Sequence, residues 1–129
     1  MTVDRVVVAR AAAAGLLLAV PAAMASVVLS DQEERSQGLL ALAYLLVVTG
    51  FAVAGYTAAL LAADEGRQHA MVAAVTAYVP VQVIGVLGRL DRGDPVSIPA
   101  VVFLLVFAVL AGNSGGVLGT RRLTHRSQP

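Results

Sequence analysis

Few side chains in this 129-residue chain are of the types that catalyse reactions or bind metal ions. The absence of cysteine excludes a disulfide framework, a thiolate metal site and a cysteine nucleophile. The two histidines, His69 and His125, do not make a metal site by themselves, and we expect both to be solvated. The sequence has no Walker phosphate-binding loop and no H-E-x-x-H zinc motif. We therefore predict no catalytic residue, no metal site, no cofactor and no enzymatic activity.

The remaining candidates are polar side chains that interrupt long apolar runs. Tyr56, Thr76 and Asn113 each lie six or seven residues from one end of such a run, which is about 10 Å at 1.5 Å per helical residue. At this common depth the three side chains could share one layer of hydrogen bonds between helices, worth about 0.6–2 kcal/mol per contact. Tyr78 and Gln82 in the third run complete the predicted polar interior.

Helical spacing places Tyr78, Gln82 and Gly85 of the third run, and Arg89 just after it, on one stripe. Pro80 lies within the same run and is expected to kink a helix there. Two interpretations stay open. The stripe could line a small cavity or bind a lipid headgroup, or it could face a neighbouring helix to which Gln82 is hydrogen-bonded.

Small residues recur at four-residue spacing, a pattern that lets helix backbones approach closely within lipid. The pattern is densest near the end of the fourth run, where two G-x-x-x-G spacings overlap, and it recurs in the second run. We predict that these glycines pack inside a helical bundle or form a homo-oligomer, although glycine is also simply common in membrane helices. The predicted packing residues are Gly112, Gly115, Gly116, Gly119, Gly50 and Gly55.

The composition identifies the elements that carry these residues. The chain is 58% hydrophobic and only 13% charged, with a mean hydropathy of +0.82 and a net charge of +1. A soluble domain averages about 25% charged residues, and the small net charge gives no reason to expect nucleic-acid binding. About 20 apolar helical residues cross a bilayer, and four uncharged stretches of suitable length occur, at residues 11–28, 39–63, 70–87 and 96–119.

The predicted fold is all-α: a four-helix antiparallel transmembrane bundle with short loops, forming one membrane domain over residues 1–129. A membrane β-barrel is not expected, because its strands alternate apolar and polar residues. Six arginines lie on the side of the two termini and the middle loop, and three lie on the other side. The positive-inside rule therefore predicts a multi-pass protein of the plasma (inner) membrane with both termini in the cytoplasm.

The first stretch has a second interpretation as a secretory signal. Arg5 and Arg10 precede an apolar core, Pro21 follows it, and Ala23-Met24-Ala25 resembles a cleavage site. We favour a retained first helix over a cleaved segment 1–25, because the apolar run continues past the cleavage site through Val28.

Three families of small four-helix membrane proteins offer resemblances. The four-helix plan resembles the small multidrug resistance exporters, but their membrane-embedded glutamate in the first helix is missing. The glycine-rich run at residues 112–119 resembles the small fluoride channels, whose Phe-box and first-helix arginine pattern are also missing. The chain is more similar to the uncharacterised YrzE-like small bacterial membrane proteins, through Gly55-Tyr56-Thr57-Ala58-Ala59, His69-Ala70 and the glycine-rich end of the fourth helix. That resemblance implies a four-helix bundle without a known activity.

Two functions remain as alternatives. The preferred one is a non-catalytic membrane subunit or scaffold that packs against itself or another membrane protein. The alternative is a small oligomeric channel or transporter whose path is lined by Tyr78, Gln82 and Asn113. Channels and carriers usually contain more polar or charged residues within their helices. The expected partners are the lipid bilayer, a second copy or another membrane protein, and not nucleic acid.

Overall fold

A computed structural model describes residues 3–62 and 65–128 and contains four helices in this part of the chain. They are α1 (Arg5–Ser30), α2 (Gln37–Leu61), α3 (Gly66–Asp91) and α4 (Ile98–Arg126). The described residues include no strand. The prediction of an all-α fold is therefore confirmed.

α1 and α3 extend beyond their predicted apolar stretches at both ends, whereas α2 begins two residues earlier and α4 two residues later than predicted. α1 begins at Arg5 because the Asp4 carboxylate accepts hydrogen bonds from the first free backbone N–H groups. Ser36 and Ser97 cap α2 and α4 in the same way. Uncharged sequence identifies the part of a helix that fits in hydrocarbon, whereas these polar caps decide where the helix begins. The predicted end of the second stretch, residue 63, lies outside the described residues.

The two middle helices form the centre of the bundle. Within the described residues α2 and α3 each contact the other three helices, whereas α1 and α4 do not contact each other. The polypeptide therefore builds a rhombus in cross-section, with α1 and α4 at its far corners.

Helices joined by a loop at one end of the bundle run in opposite directions. A Cβ at Gly112 would meet Ala74, and one at Gly116, a turn later in α4, would meet Ala70, a turn earlier in α3. The same reversal holds between α1 and α2, where the contacting pairs are Gly15–Ala54 and Ala19–Gly50.

Both ends of α1 lie beside the corresponding ends of α3. The Asp4 backbone N–H donates to the His69 ring at 3.0 Å, and the Asp31 carboxylate is 3.2 Å from Arg92. α1 and α3 therefore run in the same direction. We call the end of the bundle that holds Asp4 and Arg126 the terminal end, and the end that holds Ser30 and Ile98 the distal end.

Small residues fill the interior and large apolar residues cover the outside. The buried hydrophobic residues are mostly alanines, and Phe51 is the largest side chain that is fully buried. No leucine in the described part of the chain is buried, and Leu17 is 81% exposed. This distribution is the reverse of that in a water-soluble domain, where leucine is among the most buried residues. Each of the four helices is long and apolar enough to cross a membrane.

The contact between α2 and α4 allows a direct test of the packing. A Cβ at Gly115 would collide with the backbone carbonyl oxygen of Ala52, so Gly115→Ala requires the two helices to separate. We expect the free energy of unfolding to fall by about 1–3 kcal/mol, the usual cost of overpacking a core. Reversible unfolding of the purified protein in mixed detergent micelles measures this loss.

The matched control is Gly85→Ala in α3, because no atom of another part of the chain lies within 4 Å of a Cβ at that position. We expect its stability to stay the same or to rise by up to about 1 kcal/mol through helix propensity. Equal losses for the two variants would contradict the close α2–α4 approach.

Candidate functional site

The glycines of α4 lie in two rows that face two different helices. Gly112 and Gly116 face α3, where a Cβ at Gly116 would lie 2.6 Å from the Ala70 Cβ. Gly115 and Gly119 face α2, where a Cβ at Gly119 would lie 2.8 Å from the Tyr56 carbonyl oxygen. Any side chain larger than hydrogen would push one of the neighbours away. These two rows form what we call the packing seam.

The glycines of α2 also face inward. A Cβ at Gly55 would overlap the Gly112 carbonyl, so the α2 and α4 backbones touch at this point. A Cβ at Gly50 would lie 2.7 Å from the Ala19 Cβ of α1. The structure thus places all six predicted packing glycines among the buried residues of this one chain. These contacts lie inside the bundle of one chain.

The structure does not bring Tyr56, Thr76 and Asn113 into one hydrogen-bonded layer. Thr76 is exposed, and its hydroxyl donates to the Val72 carbonyl of its own helix at 2.8 Å. The other two side chains bind arginines instead. Arg122 donates to the Tyr56 hydroxyl at 2.7 Å, and Arg67 donates to the Asn113 side chain.

The positive charges of these two arginines contribute to the predicted orientation, but the sequence predicts no hydrogen bond for either. The Arg67 Nε donates to the Asn113 amide oxygen at 3.0 Å and joins α3 to α4, as Arg122 joins α4 to α2. Their position near the ends of the apolar runs could have indicated these bonds. A long arginine side chain can reach along a helix while its charge stays near water. The polar groups near the terminal end therefore serve to connect helices.

Tyr78 lies at the middle of the bundle, where it is buried beside Phe51, with 6.3 Å between the ring centroids. Its hydroxyl donates to the Val101 carbonyl of α4 at 2.8 Å. Gln82, the next residue of the predicted polar interior, is half-buried on the same stripe one turn later. Tyr78 is therefore hydrogen-bonded to α4, whereas Gln82 makes no such bond within the described residues.

His69 is 6% exposed at the terminal end and is held from two sides. Its Nε2 accepts the Asp4 backbone N–H at 3.0 Å, and its Nδ1 lies 3.1 Å from the Glu65 carbonyl oxygen. This pattern requires the neutral ring with its proton on Nδ1, since one nitrogen must accept while the other donates. The histidine was predicted to be solvated, and that prediction is wrong. It anchors the start of α1 on α3.

The distal end carries most of the acidic residues. Arg92 bridges Asp94 at 3.0 Å and Asp31 at 3.2 Å. The hydrogen bond to Asp94, followed by the hydrogen bond and the charge of Asp31, raises the pKa of Arg92 above its ordinary value. The open depression here is lined by Ser30, Asp31, Gln32, Glu33, Arg35, Asp91, Arg92 and Asp94. Within the described ranges, no group of three side chains is arranged to hold a metal ion.

Residues 112–116 read G-N-S-G-G and therefore fit the G-x-S-x-G pattern of hydrolases. The nucleophile of that motif needs a sharp turn between a strand and a helix, and a histidine as base. Ser114 instead lies within α4, where its hydroxyl donates to the Leu110 carbonyl at 2.9 Å. The match is a consequence of the glycine repeat and has none of the geometry of a nucleophile.

No protein-family model, curated protein or solved structure matches this chain. The contacts of the site form a seam of small residues between helices, polar ties near the terminal end and an outer surface of large apolar side chains.

Proposed function

We propose that this chain is a small integral membrane protein, folded as a four-helix antiparallel transmembrane bundle, that acts as a non-catalytic packing subunit or scaffold. The observation that carries the proposal is the inverted distribution of side-chain size, with leucines outside and alanines and glycines inside. Such an exterior is stable against lipid and would aggregate in water. The resemblance to the YrzE-like proteins is compatible with this proposal and adds no activity to it.

The placement of the polar side chains supports a packing role over a catalytic one. Tyr56, Tyr78, Asn113 and His69 each make a hydrogen bond to another helix or to the segment that caps it. A side chain that is already used to join helices is poorly placed to react with a substrate. A partner would meet the outer apolar surface, since the seam is filled by this chain itself.

The exposed aromatic pair of α4 is the best-defined part of that outer surface. Phe103 is 65% exposed and Phe107 is 40% exposed, with their ring centroids 4.7 Å apart. Aromatic side chains contribute disproportionately to binding at protein interfaces. We propose this pair as the contact with a second copy or with another membrane protein.

The proposed location is the plasma (inner) membrane, with both termini in the cytoplasm. The positive-inside rule carries this assignment. The starts of α1 and α3 lie together at the terminal end. At the same end Arg67 joins α3 to α4, and Arg122 joins α4 to α2. The arginine-rich segments of the chain are thereby gathered at one end, which supports the orientation.

We also propose that α1 is retained as a transmembrane helix. Ala19, Ala22 and Ala23 are buried in the core cluster, and Gly15 contacts α2 through its backbone. Cleavage after Ala25 would remove this surface and expose the facing small residues of α2.

The oligomeric channel or transporter stays as the alternative function. The observation in its favour is Gln82, whose amide has no hydrogen bond within the described residues and is not fully buried. An accessible amide within a membrane helix is a group that a passing solute could bind.

The orientation is testable because the chain contains no cysteine of its own. We expect a membrane-impermeant maleimide to label Ser36→Cys in intact bacterial cells and to leave Ser127→Cys unlabelled until the cells are opened. Ser36 caps α2 in the loop after α1, and Ser127 follows α4 at the terminal end. The opposite labelling pattern would reverse the proposed topology.

The scaffold function predicts a specific loss of assembly. Replacing Phe103 and Phe107 together by alanine should abolish complexes captured by cross-linking in native membranes, while the unfolding midpoint in detergent changes little because both rings are exposed. The matched control is Leu17→Ala on α1, a helix that does not contact α4 in the described structure. Wild-type protein found only as a monomer would refute the scaffold function.

The alternative predicts flux that the preferred function does not. We expect proteoliposomes that contain the wild-type protein to pass small ions and neutral solutes no faster than empty liposomes. A flux that falls when Gln82→Leu or Asn113→Leu is introduced would support the channel or transporter instead.

A further inference from the structure

α3 and α4 bury fewer side chains toward the distal end than toward the terminal end, although the Tyr78 hydroxyl still donates to the Val101 carbonyl there. All buried residues of α4 lie between Ala108 and Gly119. In α3 the last buried residue is Val81, although the helix continues to Asp91. The parts of the two helices that lie toward the distal end therefore contribute no buried residue to the described core.

Two positions show that accessible space remains in this thinly packed region. A Cβ at Gly85 of α3 would have no neighbouring atom from elsewhere in the chain within 4 Å. Ile98 begins α4 on the same helical face as Val101 and Ala108, yet it is 67% exposed. We call this region, lined by Gln82, Gly85, Arg89 and Ile98, the α3–α4 opening.

Within the described residues, the polar side chains of the opening have no ion-pair or side-chain hydrogen-bond partner. Arg89 makes no ion pair within the described residues, whereas Arg92, three positions later, makes two. Gln82 lies nine residues before the end of α3, about 13 Å deep at 1.5 Å per residue. Its amide has no hydrogen bond to the described protein. A cationic side chain near the distal end and an amide deeper in the helix thus lie on the same stripe of α3 as the open position at Gly85.

We propose that the α3–α4 opening binds one phospholipid from the distal leaflet, with an acyl chain between Gly85 and Ile98 and its phosphate at Arg89. The proposal rests on the membrane location proposed above and adds a ligand class to it. An arginine recognises a phosphate through charge-assisted hydrogen bonds, and the Gln82 amide can donate to an ester carbonyl of the same lipid. A second copy of the chain is a poorer occupant, because a two-fold axis along the membrane normal would bring two Arg89 side chains together.

Native mass spectrometry of the full chain in detergent tests this site. The probes are dioleoyl phosphatidylglycerol, dioleoylglycerol, which has the same chains without phosphate, and inorganic phosphate. We expect wild-type protein to bind the phospholipid most tightly. We expect Arg89→Gln to weaken that binding about fivefold, the effect of one arginine on an anionic lipid, and to leave dioleoylglycerol binding unchanged.

Gly85→Leu should fill the opening without a clash, and we expect it to abolish binding of both lipids while the protein stays folded. The matched control is Gly38→Leu, a glycine of α2 that also has no neighbour within 4 Å, and it should bind both lipids like the wild type. Phospholipid binding that is as tight in Arg89→Gln and in Gly85→Leu as in the wild type would overturn the proposal. So would Arg89-dependent binding of inorganic phosphate at equal affinity, or a dimer that Gly85→Leu dissociates.

Failure of this site and failure of the membrane location give different results. A chain that is monodisperse in buffer without surfactant would contradict the membrane location itself. A chain that needs detergent but shows none of the expected lipid dependence would contradict only the phospholipid site.

Discussion

The fold depends on the contact of the α2 and α4 backbones along the packing seam. Gly55 and Gly112 touch through main-chain atoms, and Gly115 lies against the carbonyl of Ala52. Within lipid the hydrophobic effect does not drive helices together, so association must come from close van der Waals contact and hydrogen bonds. Glycine is the residue that permits this distance. The seam therefore fixes the place of α4 beside α2 and α3, and the arginine ties across the same helices follow from that closeness.

The same constraint accounts for the uneven packing of α3 against α4 along their length. Toward the terminal end α3 presents Ala70 and Ala74 to α4, so the helices lie close together. One turn after Ala74, Tyr78 occupies the same face of α3. Its ring packs beside Phe51, and its hydroxyl donates to the Val101 carbonyl of α4. Beyond Val81 of α3, and before Ala108 of α4, neither helix has a buried residue. Small side chains on the terminal side of the aromatic pair let α3 and α4 lie close together, whereas beyond the pair these two helices contribute no buried residue.

The number and class of the helices could be predicted because each depends on a property of many residues. Uncharged runs of about 20 residues identify membrane helices almost independently of their partners. The glycines could likewise be selected from their spacing. The partner of each polar side chain could not be predicted, because it depends on the rotation of a helix about its own axis. Tyr56, Thr76 and Asn113 share a depth, but Thr76 turns outward and bonds to its own helix.

His69 shows why local sequence was insufficient even for a single residue. Its neighbours Arg67 and Gln68 suggested a solvated position, yet its ring is buried and accepts the Asp4 backbone N–H. That N–H is free because Asp4 caps α1 and precedes its first turn. A neutral histidine suits this place because one ring nitrogen accepts a hydrogen bond while the other donates one. It accepts from the backbone N–H of Asp4, which caps α1, and donates to the backbone carbonyl of Glu65, which caps α3. The burial of His69 is thus a consequence of how α1 and α3 lie side by side, which no segment of the sequence specifies alone.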